Sequence, residues 1–355
     1  MNYRGLKALR AFAFGVVLSG LVIGCESGVV NQEVAVNQQN AAAKQTATKQ
    51  FTSVQIQEMS VANRQLEAMS IAVAKTLTND DMRKWVYEKC LERFDGETNV
   101  LWKQLESDRS HTWAKRISAS LPASNNNFSV EAATAKIQGK MGANLHLFWY
   151  NAEKWDKKSE PIVVYTPVDK DPQKMPYLTG YDAQGRSYQV DEAFAKAHTV
   201  IVLTFNERTN LSGDLLSNLR QSNRKSSSSL QASSSVNIKE LIFKQSMNWY
   251  EGWFDGQAEF RAISRDPGGS TDLDAQDFYV YRSTIDNDPK KLEVNRNIIA
   301  SQVGPNTQVR WIEMDIAVGE WGWGGADDEL GVFQVSPTGT TTYESSDFGA
   351  KFFWE

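Results

Sequence analysis

Cysteine, histidine and long apolar runs are all scarce in this chain of 355 residues. Its two cysteines are Cys25 and Cys90, and its three histidines lie far apart along the sequence. So few cysteines exclude a disulfide framework, and isolated histidines disfavour a zinc site or a Ser-His-Asp site. No apolar run reaches the ~18 to 20 residues that a membrane-spanning helix needs.

The sequence motifs of the common enzyme classes are absent as well. There is no G-x-S-x-G nucleophile elbow, no H-E-x-x-H, no phosphate-binding P-loop and no G-x-G-x-x-G after a predicted strand. One reaction type stays open, which is hydrolysis by two carboxylates, with Glu313 or Glu320 acting with Asp255. We assign no catalytic residue, and the sequence disfavours an enzyme without deciding the question.

The N-terminal residues have the pattern of a secretory signal. Basic residues at positions 4, 7 and 10 precede an apolar run over positions 11–23, which ends in Val-Ile-Gly-Cys at Cys25. This ending resembles the lipobox of bacterial lipoproteins, which implies a signal peptide over residues 1–24 and lipid attachment at Cys25. The expected location is the bacterial cell envelope, in the outer membrane or alternatively the inner membrane. An ordinary signal peptide with an incidental cysteine is the alternative.

Residues 25–50 follow as a predicted disordered tether. They are mainly Gln, Asn, Ala and Val and contain no aromatic residue. Such a segment buries too little apolar surface to offset the entropy lost on ordering. The folded part of the chain is therefore expected to begin near residue 51.

The fold class that the remaining pattern predicts is α+β, in three parts. Apolar residues at helical spacing predict a small helical bundle over 51–122, with Asn79 in a good cap for its second helix. β-Branched and aromatic runs predict a small β-domain over 128–206. A serine-rich stretch over 207–235 reads as an exposed linker. At least six short strands over 236–355 predict an antiparallel β-sandwich.

Negative charge is concentrated in this last part. Residues 236–355 carry 20 acidic and 10 basic side chains, whereas residues 1–235 carry 23 acidic and 28 basic ones. Within it, residues 311–331 have the pattern of a strand that leads into a glycine-rich acidic loop. Five carboxylates lie within fifteen residues of this loop, with no Lys or Arg among them, at Asp315, Glu320, Asp327, Asp328 and Glu329. Crowded carboxylates repel one another unless they are solvated or share a cation. Flexible oxygen-rich loops suit Ca²⁺, so the sequence predicts Ca²⁺ as the cofactor of this chain.

The candidate metal ligands come from two acidic clusters. If both lie at the same end of the sandwich, their oxygens could meet around one or two ions. Glu259 belongs to the second cluster as a further acidic residue. The predicted ligands are Asp315, Glu320, Asp327 and Asp328 from the first cluster, and Glu251 and Asp255 from the second.

The strand that ends in Asp315 and the later Asp-Glu-Leu-Gly over 328–331 resemble the third loop of calcium-dependent, phospholipid-binding sandwich domains of the synaptotagmin type. The resemblance implies that Asp315 and Asp328 are ligands and that a first-loop ligand falls on Glu251 or Asp255. The whole chain also resembles an uncharacterised family of bacterial lipoproteins, known only as a domain of unknown function. That second resemblance implies no activity.

Trp321 and Trp323 stand at alternate positions in the acidic loop. Exposed indoles usually serve an interface, with a sugar, a lipid headgroup layer or a protein, but they can also fold back over a core. The predicted function is a lipid-anchored envelope protein with a calcium-binding interaction module. The alternatives are a carbohydrate-binding or enzyme-accessory lipoprotein using these tryptophans, a two-carboxylate hydrolase, and a structural lipoprotein without metal. Membrane contact through the lipid and an unidentified protein or glycan partner are expected, and no nucleic acid.

Overall fold

The computed structural model describes residues 51–123, 128–170, 175–216, 234–246, 252–254, 257–265, 272–300, 308–313, 320–321, 328–334 and 339–354. Residues Thr48–Glu355 form one compact unit. The predicted signal peptide, the lipid attachment site Cys25 and the predicted tether lie outside the described residues. Among the helices that are described, none is both long and apolar enough to cross a membrane.

Four helices form where the apolar spacing predicted them. The first starts at a capping box, in which the Thr52 side chain accepts a hydrogen bond from the backbone N–H of Gln55. Asn79 caps the second helix by accepting from the backbone N–H of Met82, as the sequence predicted. The four helices are α1 (Ser53–Thr76), α2 (Asp80–Leu91), α3 (Trp102–Ser107) and α4 (Trp113–Ser120).

A six-stranded sheet follows, in the spatial order β1-β2-β6-β3-β4-β5. All neighbouring strands in it are antiparallel except β3 and β6, which run parallel. Its strands are β1 (Asn99–Leu101), β2 (Asn144–Tyr150), β3 (Ile162–Tyr165), β4 (Leu178–Tyr181), β5 (Ser187–Val190) and β6 (Val200–Asn206). The chain between them also forms helices α5 (Val130–Met141) and α6 (Glu192–Ala197), and a short 3₁₀ helix at Ala152–Lys154.

Both faces of this sheet are covered, which is why every residue of β2 is buried. On one face Leu145, Leu147 and Trp149 pack against the helices in a single large core. On the other face Phe148 and Tyr150 lie in a second cluster with residues of β3 to β6 and α6, and with Trp253 and Phe254. Successive strand residues point to opposite faces, so β2 contributes to both clusters.

The sequence predicted a helical bundle separate from a β-domain, but the helices and the sheet share one core. Strand β1 lies within the predicted bundle, at Asn99–Leu101, and pairs with β2. The helices bury their apolar sides against the sheet, so residues 51–216 form one helix–sheet part. Arg208 and Thr209, which the sequence placed in an exposed linker, are buried.

The last part of the chain is the predicted antiparallel sandwich, and the α+β class is confirmed. Aromatic rings from both sheets interlock in its core, where Phe260 stacks on Phe348 with 5.5 Å between ring centroids. The two sheets have the strand orders β10-β7-β14-β13 and β12-β11-β8-β9. The elements are β7 (Ser234–Phe243), β8 (Ala258–Arg265), β9 (Asp272–Val280), α7 (Arg282–Asp286), β10 (Lys291–Ala300), β11 (Gln308–Glu313), β12 (Asp328–Gln334), β13 (Gly339–Glu344) and β14 (Phe348–Trp354).

Candidate functional site

One described residue of each predicted acidic cluster, Asp328 and Glu259, lies at the same end of one sandwich sheet. Glu313, the last residue of β11, pairs in register with Phe260 of β8 and with Asp328 of β12. This places Glu259 next to the start of the acidic loop. The other predicted site residues lie outside the described residues, namely Cys25, Glu251, Asp255, Asp315, Trp323 and Asp327.

Glu320, a predicted calcium ligand, is engaged by side chains of the helix–sheet part. Its carboxylate lies 2.5 Å from Lys140 Nζ and accepts a hydrogen bond of 3.2 Å from Gln55 Nε2. Within the described residues, no group of three or more His, Cys, Asp or Glu side chains is arranged to hold a metal ion. The calcium site stays a prediction that depends mainly on residues outside this set.

Trp321 is completely buried in the core beneath the helices. Its backbone N–H donates to the Lys140 carbonyl oxygen at 3.0 Å, and Lys140 Nζ lies 5.9 Å from the indole ring centroid. A fully buried indole presents no face to a ligand. Trp321 therefore packs as a core residue. This agrees with the alternative that these tryptophans fold back over a core.

A buried guanidinium joins the helix–sheet part to the sandwich. Arg208 follows β6, and its Nη2 lies 2.9 Å from Glu97 Oε1 while its Nε forms an ion pair with Glu259. Its Nη1 donates to the Asp95 carbonyl at 3.1 Å, and Nη2 donates to the Gln257 carbonyl at 3.3 Å. The guanidinium also lies 4.4 Å from the Tyr279 ring centroid. The positive charge that Glu259 requires thus comes from Arg208.

A chain of amides continues this network into the sheet. Asn206 Nδ2 donates to Asp95 Oδ2 at 2.6 Å, and Asn99 Nδ2 donates to the same oxygen at 3.0 Å. The Asn206 amide also lies 3.2 Å from His146 Nδ1. The His146 Nε2 atom is buried and has no hydrogen-bond partner among the described residues. His146 is thus a buried member of this network.

Burial shifts the titration of this network. Desolvation raises the pKa of Glu97 to about 7, against the lowering effect of Arg208. Desolvation likewise lowers the pKa of His146 to about 4, although the charge of Asp95 acts in the opposite direction. The pKa of Glu259 is also raised by burial, opposed by Arg208. Three carboxylates against one guanidinium leave the network short of positive charge, which favours proton retention.

A cleft of about 250 Å³ opens beside this network, and Glu97 and Gln257 line it. Its walls come from the α2–β1 connection, the end of β2 and the sandwich. The aromatic lining residues are Phe148, Tyr150, Trp253 and Tyr281. Tyr150 and Trp253 meet edge to face with 5.7 Å between centroids, so the two parts of the chain form one aromatic wall.

The rim of the cleft holds backbone conformations that side chains rarely adopt. Arg93 has φ 48° and Asn151 has φ 49°, and Gly96 at φ 99° completes three positive values among the lining residues. Such conformations persist only where surrounding structure imposes them, and they are concentrated at functional sites. Arg93 is fixed further by its ion pair with Glu153, which also lines the cleft.

The proposed pair of hydrolytic carboxylates finds no support in this geometry. Glu320 is held by Lys140, Glu313 is buried on β11, and Asp255 lies outside the described residues. The cleft instead offers aromatic faces with amide and charged groups between them, an arrangement suited to holding a polar molecule.

Sequence reasoning missed most of this site. Arg208 fell in the predicted exposed linker, and Glu259 was assigned only to an acidic cluster. One sequence pattern does indicate the site. The polar residues Asp-Gly-Glu-Thr-Asn over 95–99 immediately precede an apolar run. No protein-family model matches this chain, and no characterised protein matches it either.

Proposed function

We propose that this chain is a lipid-anchored envelope protein that binds carbohydrate in the cleft between its helix–sheet part and its sandwich. The observation that carries the proposal is the aromatic wall of Phe148, Tyr150, Trp253 and Tyr281 with polar side chains between the rings. Aromatic faces pack against the C–H faces of sugar rings, while amides and charged groups bind the hydroxyls. This combination buries both sides of an amphipathic ligand.

The charges of the cleft favour an uncharged ligand. Two arginines, Arg93 and Arg282, and two glutamates, Glu97 and Glu153, line it, so their formal charges cancel. All four are engaged within the protein: Arg93 pairs with Glu153, Glu97 pairs with Arg208, and Arg282 pairs with Glu192 and Asp286. A strongly charged ligand would have to compete with these pairs, whereas neutral hydroxyls can use their remaining lone pairs and protons.

The lipid anchor at Cys25 would keep this cleft at the envelope surface on the predicted tether. Acyl chains contribute roughly 0.8 kcal/mol per buried methylene, so two or three of them give stable attachment. A tethered sugar-binding protein can retain glycans close to the membrane. This agrees with the carbohydrate-binding alternative from the sequence, but it moves the binding surface away from Trp321, which is buried.

Ligand-detected NMR tests the proposal on the full chain in detergent, with neutral mono- and disaccharides as probes. Tyr281 is 52% exposed and lines the cleft, so Tyr281→Ala should weaken binding about fivefold or more, on the order of 1 kcal/mol. Tyr177, 37% exposed and outside the cleft lining, gives the matched control Tyr177→Ala. Absence of any neutral sugar binding, or equal binding by Tyr281→Ala, would contradict the proposal.

A further inference from the structure

A second hollow of about 370 Å³ adjoins the cleft. Its floor includes Trp155, which packs on the fully buried Trp149 with 4.9 Å between ring centroids, and its opposite side is formed by the junction of α6 and β6 at His198. The exposed His198 ring stacks on Phe194 with 3.9 Å between centroids. The second hollow therefore repeats the pattern of the first, with aromatic surface and a polar rim.

The loop after Trp155 gives this hollow a fixed wall. Asp156 Oδ1 accepts hydrogen bonds from the backbone N–H groups of Lys158 and Ser159, at 2.8 and 2.7 Å. The Ser159 carbonyl in turn accepts a bond of 3.0 Å from the Trp155 indole. Because these bonds are local and mutually reinforcing, the wall is organised before any ligand arrives.

Tyr150 and Asn151 line both hollows, so the two are continuous at the end of β2. Asn151 is one of the rim residues in the left-handed conformation, with φ 49°. This bend turns the chain out of the sheet and leaves the Tyr150 ring as the common wall. A single-sugar site would need only the first hollow, which at about 250 Å³ is slightly smaller than the roughly 300–1,000 Å³ of ordinary ligand sites.

The second hollow is also formally neutral. Lys154 and Lys196 line it, and so do Asp156 and Glu160. Because both hollows balance two cationic against two anionic side chains, the same ligand chemistry suits each. An uncharged oligomer of repeating units suits both hollows, whereas a charged polymer would find no net opposite charge in either.

We infer that the two hollows form one groove that binds a neutral oligosaccharide, with its chain crossing Tyr150 and Asn151. This inference rests on the proposed function, since it specifies the ligand of the same cleft. One end of the chain occupies the hollow beside Trp253 and Tyr281, and later sugar units occupy the hollow beside Trp155 and His198. Affinity should therefore increase with chain length until both hollows are filled.

The test is a length series on the full chain in detergent, by titration calorimetry. The probes are neutral oligomers of glucose and of N-acetylglucosamine, from one to six units. We expect at least a tenfold gain in affinity between two units and the length at which the gain stops. His198→Ala should keep the affinity for short oligomers and remove most of that gain, whereas Tyr281→Ala should weaken every length. His111, a partly exposed histidine stacked on Trp85 and outside both hollows, gives the control His111→Ala.

Each outcome has a separate meaning. Short sugars that bind without any gain from added units overturn the groove and leave the proposed function standing. A length gain that survives in His198→Ala also overturns it, because the added units would then lie elsewhere. If no oligomer of any length binds, the proposed function fails. Binding of uncharged tetra- to hexapeptides in place of the sugars would overturn the carbohydrate class for the whole groove.

Discussion

At the scale of single residues, Arg208 determines how the two parts of the molecule meet. It is buried together with Glu97 and Glu259, and it receives no help from another cation in the described hydrogen-bond network. Buried charges cost free energy unless they are paired and hydrogen-bonded, and Arg208 supplies the pairing for carboxylates from both parts. Its five donors are the reason that a lysine could not replace it.

Replacing Arg208 with methionine should therefore be strongly destabilising. We expect Arg208→Met to lower the free energy of unfolding by about 3–5 kcal/mol, because Glu97 and Glu259 would lose their buried counter-ion. Urea denaturation measures the change. The control is Arg310→Met, which breaks an exposed ion pair with Glu329 and should cost less than about 1 kcal/mol. A cost for Arg208→Met as small as that of the control would show that protons alone neutralise the carboxylates.

Glu97 and His146 should give opposing pH dependences. The pKa of Glu97 is raised from 4.5 to about 7, so its contribution to stability is complete below pH 4.5 and declines as the pH rises to 7. The pKa of His146 is lowered from 6.5 to about 4, so its contribution is complete above pH 6.5 and declines as the pH falls to 4. Between pH 4.5 and 6.5 the two effects oppose each other.

Two variants separate these effects by urea denaturation at several pH values. Relative to wild type, Glu97→Gln should gain stability as the pH rises from 4.5 to 7. His146→Gln should gain relative stability as the pH falls from 6.5 to 4. Each change should be on the order of 1–3 kcal/mol across its range. Parallel pH curves for wild type and both variants would mean that neither group titrates within the folded network.

At the scale of elements, the β11–β12 connection is fastened to the helices by Trp321. Replacing a buried tryptophan with alanine leaves a cavity, so Trp321→Ala should cost about 3–5 kcal/mol of unfolding free energy. Glu320→Gln weakens an exposed ion pair with Lys140 and alters an exposed hydrogen bond with Gln55, so it should cost less than about 1 kcal/mol. Thermal melting compares the two variants. A small loss of unfolding free energy in Trp321→Ala would indicate that the core beneath the helices packs well without this indole.

The same connection carries the untested calcium prediction. If it binds Ca²⁺, a free concentration 100 times the dissociation constant should stabilise the fold by about 2.7 kcal/mol. Asp315→Asn combined with Asp328→Asn should abolish this increase, whereas Glu88→Gln on α2 should keep it. Melting with and without a chelator measures the effect, and no shift in the wild type would remove the metal hypothesis.

The sequence pattern predicted buried central strands well, and it predicted edge strands and weakly amphipathic helices poorly. The run of leucine and aromatic residues over Asn144–Tyr150 predicts strand β2 with its observed bounds. Strands β10 and β13 were missed, and both are edges of their sheet, where polar and charged residues replace the apolar alternation. Helix α5 was missed because its alanines and threonine give little apolar contrast between its faces.

At the scale of the whole molecule, the site could not be predicted because its parts are distant in sequence. Glu97 precedes β1, Arg208 follows β6 and Glu259 lies on β8, more than 100 positions from the first to the second. Periodicity reports which side of an element is buried but not which elements meet. The predicted boundaries also separated these residues into a bundle, a linker and a sandwich.

The contacts across those boundaries predict that the helix–sheet part and the sandwich unfold together. Trp253 packs on Tyr150, Trp321 fills the helical core, and Arg208 connects both parts through buried ion pairs. Far-ultraviolet circular dichroism, which follows all helices, and tryptophan fluorescence should therefore give one coincident urea transition. The double variant Arg208→Met with Trp321→Ala removes two of these connections, so its two signals should separate. Separate transitions already in the wild type would show that the two parts are only loosely coupled, and the cleft between them would then be free to open.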